Sequence, residues 1–361
     1  MPGYPMFLAG CRWLSSDHLL VVDLLQCVLG ALVCVFVAKI AASLFGRRAG
    51  LIAGIVAATY PELVFSSVGP YTEPLYIFFL MYALQAAVAA SRDTGMRTSR
   101  AAGAGLLFGL AALVRPQTLG LAVVLAFVVG LVRALDAGRA AGLRAGAVLA
   151  GACLLVLLPW GLRNQAVMGR FLLLSSESGY VMWLGNNPAY DEVAFDFARF
   201  GGYALSPVFK RLPQAAGLPE MEVDRVYREA AWSHITAHPV KWVLRAPHKL
   251  WNMWRPVEST ASWRHRAVAL TLYPPLMAAS LLGMLLACRI RGAWPLHACI
   301  LATLALHAAS AGVLRFRLPL WPALIVFAGF AVDRMASRLQ SGLAGQRASK
   351  ATTPPRSDAL P

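Results

Sequence analysis

Apolar residues run through this chain in blocks of about twenty, the length a helix needs to cross a hydrocarbon layer. Nine such stretches stand out, at 19–44, 51–68, 73–90, 101–115, 117–135, 145–162, 267–288, 294–313 and 318–333. Short connectors separate several of them, and tyrosines and tryptophans gather near many ends, as interfacial anchors do. One long polar interruption, Arg163 to Arg266, breaks the series. The pattern predicts an all-α polytopic membrane protein with four regions. These are six spans in 1–162, an external, partly helical insert at 163–266, three spans in 267–334, and a disordered tail at 335–361.

The connectors set the orientation. One alternate set is basic, with Arg47 and Arg48; Arg92, Arg97 and Arg100; Arg133, Arg139 and Arg144; Arg289 and Arg291; then Arg334 and Arg338. The other set holds only Arg115 and the pair Arg315 and Arg317. The positive-inside rule makes the first set and the C-terminus cytoplasmic. The insert, the turn Gly69-Pro70-Tyr71-Thr72-Glu73-Pro74 and Arg115 then face outward. An odd number of spans leaves the N-terminus outside, and nothing in the first eighteen residues looks able to direct that export. A further span ahead of Met1 is the simplest expectation.

Composition adds limits. Hydrophobic residues make up 58% of the 361 and charged ones 14%, against about 25% charged in soluble domains. The net charge of +16 comes from scattered arginines with no basic patch or RNA motif, which argues against nucleic acid. The six cysteines fall mostly within apolar stretches without paired spacing, so they imply neither a disulfide framework nor a metal site.

Within the insert, residues 220–237 put Val223, Val226, Tyr227, Ala230 and Ala231 on one helical stripe that ends before Pro239. A second helix from Pro239 mixes Trp242, Leu250, Trp251 and Trp254 with Lys241, Arg245 and Lys249. That mixture suits a lipid-facing wall in the headgroup layer, or an ordinary amphipathic scaffold. His234 and His238 have the spacing of a metal pair but lack the adjoining glutamate of a zinc-protease motif, so no metal is assigned. Gly185-Asn186-Asn187-Pro188 is a turn signal, with Asn186 and Asn187 also candidates for sugar or phosphate contact.

Ionisable groups at span ends carry the candidate chemistry. Glu73 and Glu62 are two carboxylates near one outer edge, with Tyr71 beside them. Arg115, Arg315 and Arg317 end spans at the same face, and their forked donors suit a phosphate held at the membrane surface. N-terminal capping by Glu73 and snorkelling by Arg115 and Arg315 are the plainer roles. Asp23 lies inside the first span and Lys39 near its inner end.

In order along the chain come Pro2-Gly3-Tyr4-Pro5, Thr72-Glu73-Pro74-Leu75, Arg115-Pro116, Pro159-Trp160 through Arg163-Asn164, Gly185-Asn186-Asn187-Pro188 and Arg315-Phe316-Arg317-Leu318-Pro319. This series resembles the membrane glycosyltransferases of family 39, the dolichyl-phosphate-mannose protein mannosyltransferase and aminoarabinose transferase group. The resemblance implies a GT-C-like bundle of about nine transmembrane helices in a bacterial inner membrane, with the large loop periplasmic. It also implies inverting transfer from a polyprenyl-phosphate-linked sugar donor to a lipid, glycan or protein acceptor. No cofactor is assigned, and a divalent metal stays open.

In the family an acid in the first external loop acts as general base, and the Pro-Gly-Tyr-Pro stretch follows that loop. This chain begins at the stretch. Three readings follow: an earlier start, an inactive member, or Glu73 or Glu62 in the acid's place. A lipid-linked oligosaccharide polymerase or ligase shares the donor chemistry. A flippase or transporter should show internal repeats and broken helices at mid-membrane. No repeat is evident here, and the polar residues cluster at one face.

Overall fold

A computed structural model of the chain describes residues 1–15, 18–93, 95, 98–174, 178–190, 212–257 and 262–351. These residues are helical, with no strand among them. Helix α1 (Gly3–Leu14) leads to α2 (His18–Phe45), α3 (Arg47–Thr59) and the short α4 (Pro61–Ser66). Next come α5 (Glu73–Ser91), α6 (Ser99–Val114), α7 (Gln117–Ala137) and α8 (Arg139–Met168). The insert supplies α9 (Ser178–Gly185), α10 (Glu220–Ala237) and α11 (Pro239–Trp254). The chain then returns through α12 (Trp263–Ala287), α13 (Trp294–Ala309), a 3-10 stretch Leu314–Leu320, and α14 (Trp321–Ala351).

All nine apolar stretches are helical, and seven form helices both long and apolar enough to cross a membrane. The two exceptions have clear causes. The stretch 101–115 lies in a helix of only 16 residues, α6. The stretch 51–68 is cut by Pro61. A proline disfavours the helical conformation in the residue before it, and Tyr60 is extended at φ −73° and ψ 117°. Helix α3 therefore stops at Thr59, and Glu62 stands in the first turn of α4.

Three boundaries differ from expectation. Helix α1 occupies a segment for which no helix was predicted. Helix α8 runs through Pro159 to Met168 and ends on the left-handed Gly169, so Arg163 and Asn164 lie within a helix and do not open a separate domain. Helix α14 continues to Ala351, where a disordered tail was expected from 335. The sequence there is rich in alanine, leucine, glutamine, arginine and lysine, all good helix formers. Residues 352–361, like Asp17, Arg97, 191–211 and 258–261, lie outside the described residues.

Helices α5 and α14 form the centre, with 67% and 83% of their spanning windows buried, whereas α12 has only 17% buried and presents its sides outward. Small residues let the helices approach, since lipid supplies no hydrophobic drive between them. Gly105 and Gly109, four apart on α6, lie against α8. A Cβ at Gly105 would sit 2.2 Å from the Leu149 carbonyl oxygen, and one at Gly109 would sit 2.9 Å from that of Cys153. Gly105→Ala should therefore cost roughly 1–3 kcal/mol through overpacking. Gly103→Ala, where an added Cβ meets nothing within 4 Å, should leave stability unchanged or raised. Thermal aggregation in detergent compares the two, and equal melting temperatures would contradict this packing.

Candidate functional site

Prolines deliver the polar residues to one end of the bundle. Pro61 breaks a span beside Glu62, Pro74 opens α5 behind Glu73, and Pro116 forces Arg115 into an extended conformation at the end of α6. At the same end Pro319 lies inside the 3-10 stretch that carries Arg315 and Arg317. A cavity of about 900 Å³ opens among these ends. Its wall includes Glu62, Tyr71, Glu73, Arg264, Arg315 and Arg317. Five of the residues singled out in the sequence thus share one cavity.

The two carboxylates are committed differently. Arg317 grips both oxygens of Glu62, through Nε to Oε2 at 3.2 Å and through Nη2 to Oε1. Trp321 Nε1 also donates to Oε2, at 2.8 Å. Arg317 is 2% exposed, donates further to the carbonyls of Arg255 and Pro256, and lies over the Tyr273 ring. Tyr60, Trp254 and Tyr273 pack around Trp321, the last two edge-on. Both oxygens of Glu62 are thus engaged by this box, although the side chain stays 31% exposed on the cavity wall. Glu73 is freer. Its Oε1 takes Arg115 Nη2 at 2.5 Å, and its Oε2 accepts only the Thr72 hydroxyl, at 3.1 Å. Arg115 lies behind Glu73, stacked over Tyr76, and is not on the cavity wall.

The loop bearing Tyr71 and Glu73 is seated on α2. Gly69, at φ +96°, donates its N–H to Asp23 Oδ1 at 2.8 Å and accepts from Gln26 Nε2 at 2.7 Å. Asp23 and Gln26 are three apart and so share a helix face. The acid inside the first span thereby anchors a loop.

Asn186 and Asn187 are 1% exposed and stand apart from the cavity. Asn187 Nδ2 bonds back to the Trp183 carbonyl at 2.8 Å. Asn186 Nδ2 bonds to the Met182 and Ala309 carbonyls at 2.8 and 3.0 Å, while its Oδ1 accepts Lys249 Nζ at 2.8 Å. The Ala309 carbonyl, at the end of α13, also accepts Trp242 Nε1 at 3.2 Å and Lys249 Nζ at 3.3 Å. This node ties the insert to the segment leading into Arg315 and Arg317. Burial, reinforced by the nearby Arg245, lowers the Lys249 ammonium to about 7. His234 lies 3.0 Å from Arg245 Nη1. Among the described residues no group of three or more His, Cys, Asp and Glu is gathered to hold a metal.

The sequence assigned no role to Arg264 or Trp321, and placed Lys249 only among the basic residues of an amphipathic helix. Arg264 had a weak signal, the basic cluster Trp263-Arg264-His265-Arg266 at a span start. Arg264 and Arg315 are exposed guanidiniums on the cavity wall. Neither forms an ion pair among the described residues, in contrast to Arg115 and Arg317.

This architecture has known counterparts. Residues 2–174 match the family model for dolichyl-phosphate-mannose-protein mannosyltransferase. Archaeal oligosaccharyltransferase AglB from Archaeoglobus fulgidus, solved in complex with an inhibitory peptide and a dolichol-phosphate, is similar with a TM-score of 0.52 and 16% identity. The chain has the GT-C fold. The match covers 92% of this chain and 41% of the archaeal one, so the chain spans less than half that protein's length. No curated protein matches. Within this GT-C chain the segment matched by the family model holds Glu62, Glu73 and Arg115, while Arg264, Arg315 and Arg317 lie beyond it.

The Lys249 node gives a pH prediction. A lysine with a folded pKa of about 7 and an ordinary unfolded value binds more protons when unfolded between those two values. Stability should therefore rise with pH across that window, and the burial cost is carried in full below pH 7. Thermal unfolding of the native chain, relative to Lys249→Met, should gain about 2 kcal/mol from pH 7 to 9. Parallel pH profiles for the two proteins would rule this out.

Proposed function

We propose that this chain is a membrane glycosyltransferase that moves a sugar from a polyprenyl-phosphate donor to an acceptor hydroxyl in the cavity at the span ends. The single observation that carries the reading is the cavity itself. It sets a carboxylate, Glu73, and two guanidiniums without an ion pair among the described residues, Arg264 and Arg315, on one wall where spans end. The dolichol-phosphate of the archaeal structure belongs to the same chemical class of lipid phosphate, and the family model points to a lipid-linked sugar donor.

In this mechanism Arg264 and Arg315 hold the donor phosphate at the membrane surface, where forked donors match its oxygens. The acceptor oxygen forms a bond to the anomeric carbon while the bond from that carbon to the phosphate oxygen breaks. Glu73 Oε2 takes the proton of the acceptor hydroxyl. The polyprenyl phosphate leaves with the bonding electrons, its charge met by the two guanidiniums. Arg115 orients the Glu73 carboxylate, and Arg317 with Glu62 forms the rigid side of the site. Tyr71, 55% exposed on the wall, offers a ring for the sugar or its acceptor. The alternation of basic connectors supports a cavity on the periplasmic side of a bacterial inner membrane, with the C-terminus in the cytoplasm.

Transfer from synthetic polyprenyl-phosphate sugars in detergent tests the assignment. Arg315→Ala and Arg264→Ala should each raise the donor KM roughly tenfold or more, the loss of one charge-assisted contact, with melting temperature held. Glu73→Asp keeps the pair with Arg115 but withdraws the carboxylate, and should lower kcat by about 100-fold. Native kinetics in all three variants would defeat the proposal.

A further inference from the structure

Helix α11 is arranged opposite to a helix that meets water. Arg245 and Lys249 point inward and are 5% and 0% exposed, while Val240, Val243, Leu244 and Trp251 are 71%, 60%, 68% and 61% exposed. Val240, Leu244, Pro247 and Trp251 follow the spacing of one helical face, and Pro247 is exposed with them. Burying cations while presenting valine, leucine and tryptophan to water would be unfavourable on both counts. The arrangement becomes favourable when the outward face meets lipid.

The depth of the helix is fixed by its hydrogen bonds. Trp242 and Lys249 bond to the carbonyl of Ala309, the last residue of the span Arg291–Ala309. Helix α11 therefore lies across the end of a membrane-crossing helix, at the height where hydrocarbon gives way to headgroups. Its far end reaches the cavity, where the Arg255 and Pro256 carbonyls accept Arg317.

We infer that α11 is a bilayer-embedded interfacial helix, with Val240, Val243, Leu244, Pro247 and Trp251 sunk into the acyl boundary of the phospholipid leaflet beside the cavity. The occupant of this face is lipid acyl chain, and the buried Arg245 and Lys249 serve the protein side. The inference stands on the geometry of α11 alone and does not depend on the proposed transfer reaction.

Spin labelling tests it in the full chain reconstituted into phosphatidylcholine vesicles. With Cys27, Cys34 and Cys288 replaced by serine, nitroxides are attached at Leu244→Cys, at Val240→Cys and, as a water-facing reference on α10, at Glu229→Cys. Collision rates with oxygen and with a neutral nickel chelate report depth. The ratio of oxygen to nickel accessibility should be several-fold higher at positions 244 and 240 than at 229. A ratio at 244 and 240 equal to that at 229 would place the face in water and overturn the inference. Shielding of both labels from both reagents would also overturn it, because protein would then cover the face.

Discussion

The ion pair between Glu62 and Arg317 joins parts of the chain that the sequence keeps more than two hundred residues apart. Removing these charges from water is costly, and the pair is stable only because nearly every donor and acceptor in it is matched. Glu62 comes from α4, and Trp321 at the start of α14 completes its set of donors. Arg317 comes from the 3-10 stretch and reaches the carbonyls that close α11. Tyr273 from α12 and Trp254 from α11 box in the aromatic side. Arg317 is buried and Glu62 only half-buried, so loss of Glu62 would strand the arginine's charge, whereas loss of Arg317 would leave the carboxylate partly in solvent. With Arg317 locked, Arg315 two residues earlier stands on the cavity wall without a carboxylate partner among the described residues.

That constraint explains a division of labour among similar residues. Among the described residues at this end of the bundle, the buried Arg115 and Arg317 are bound to Glu73 and Glu62. Arg264 and Arg315 are exposed on the cavity wall, which is why the proposed function gives them the donor phosphate. The carboxylates divide likewise. Glu62 is consumed by the aromatic box, whereas Glu73 keeps an oxygen engaged only by the Thr72 hydroxyl. The Asp23 and Gln26 anchor on Gly69 then holds the loop bearing Tyr71 and Glu73 against the same wall.

Much of this was legible in the chain. Hydropathy located every long helix, and the X-Pro steps at Tyr60-Pro61 and Arg115-Pro116 marked where spans end and where polar side chains emerge. The shared face of Glu62, Glu73, Tyr71, Arg315 and Arg317 followed from the alternation of basic connectors. Pairing was not legible, because which guanidinium meets which carboxylate depends on contacts such as that between positions 62 and 317. The direction of α11 was hidden for a related reason. Its composition fits either a basic outer face or a basic inner one, and only the bonds of Lys249 to Asn186 and Ala309 decide. The Gly185-Asn186-Asn187-Pro188 turn looked suited to a ligand, yet its amides close α9 and bind the end of α13.

The fold thus sets a cavity where apolar helices end, its wall mostly apolar with a few charged groups among them, beside a helix that turns an apolar face outward. Under the proposed function, the lipid-linked phosphate would approach from the bilayer and the acceptor from the aqueous side. The most direct test is a structure of the chain with a bound polyprenyl phosphate. The account predicts the phosphate within hydrogen-bonding distance of Arg315 and Arg264, with the isoprenoid chain leaving toward lipid. A phosphate held by Asn186 and Lys249, or an empty cavity at saturating ligand, would contradict it.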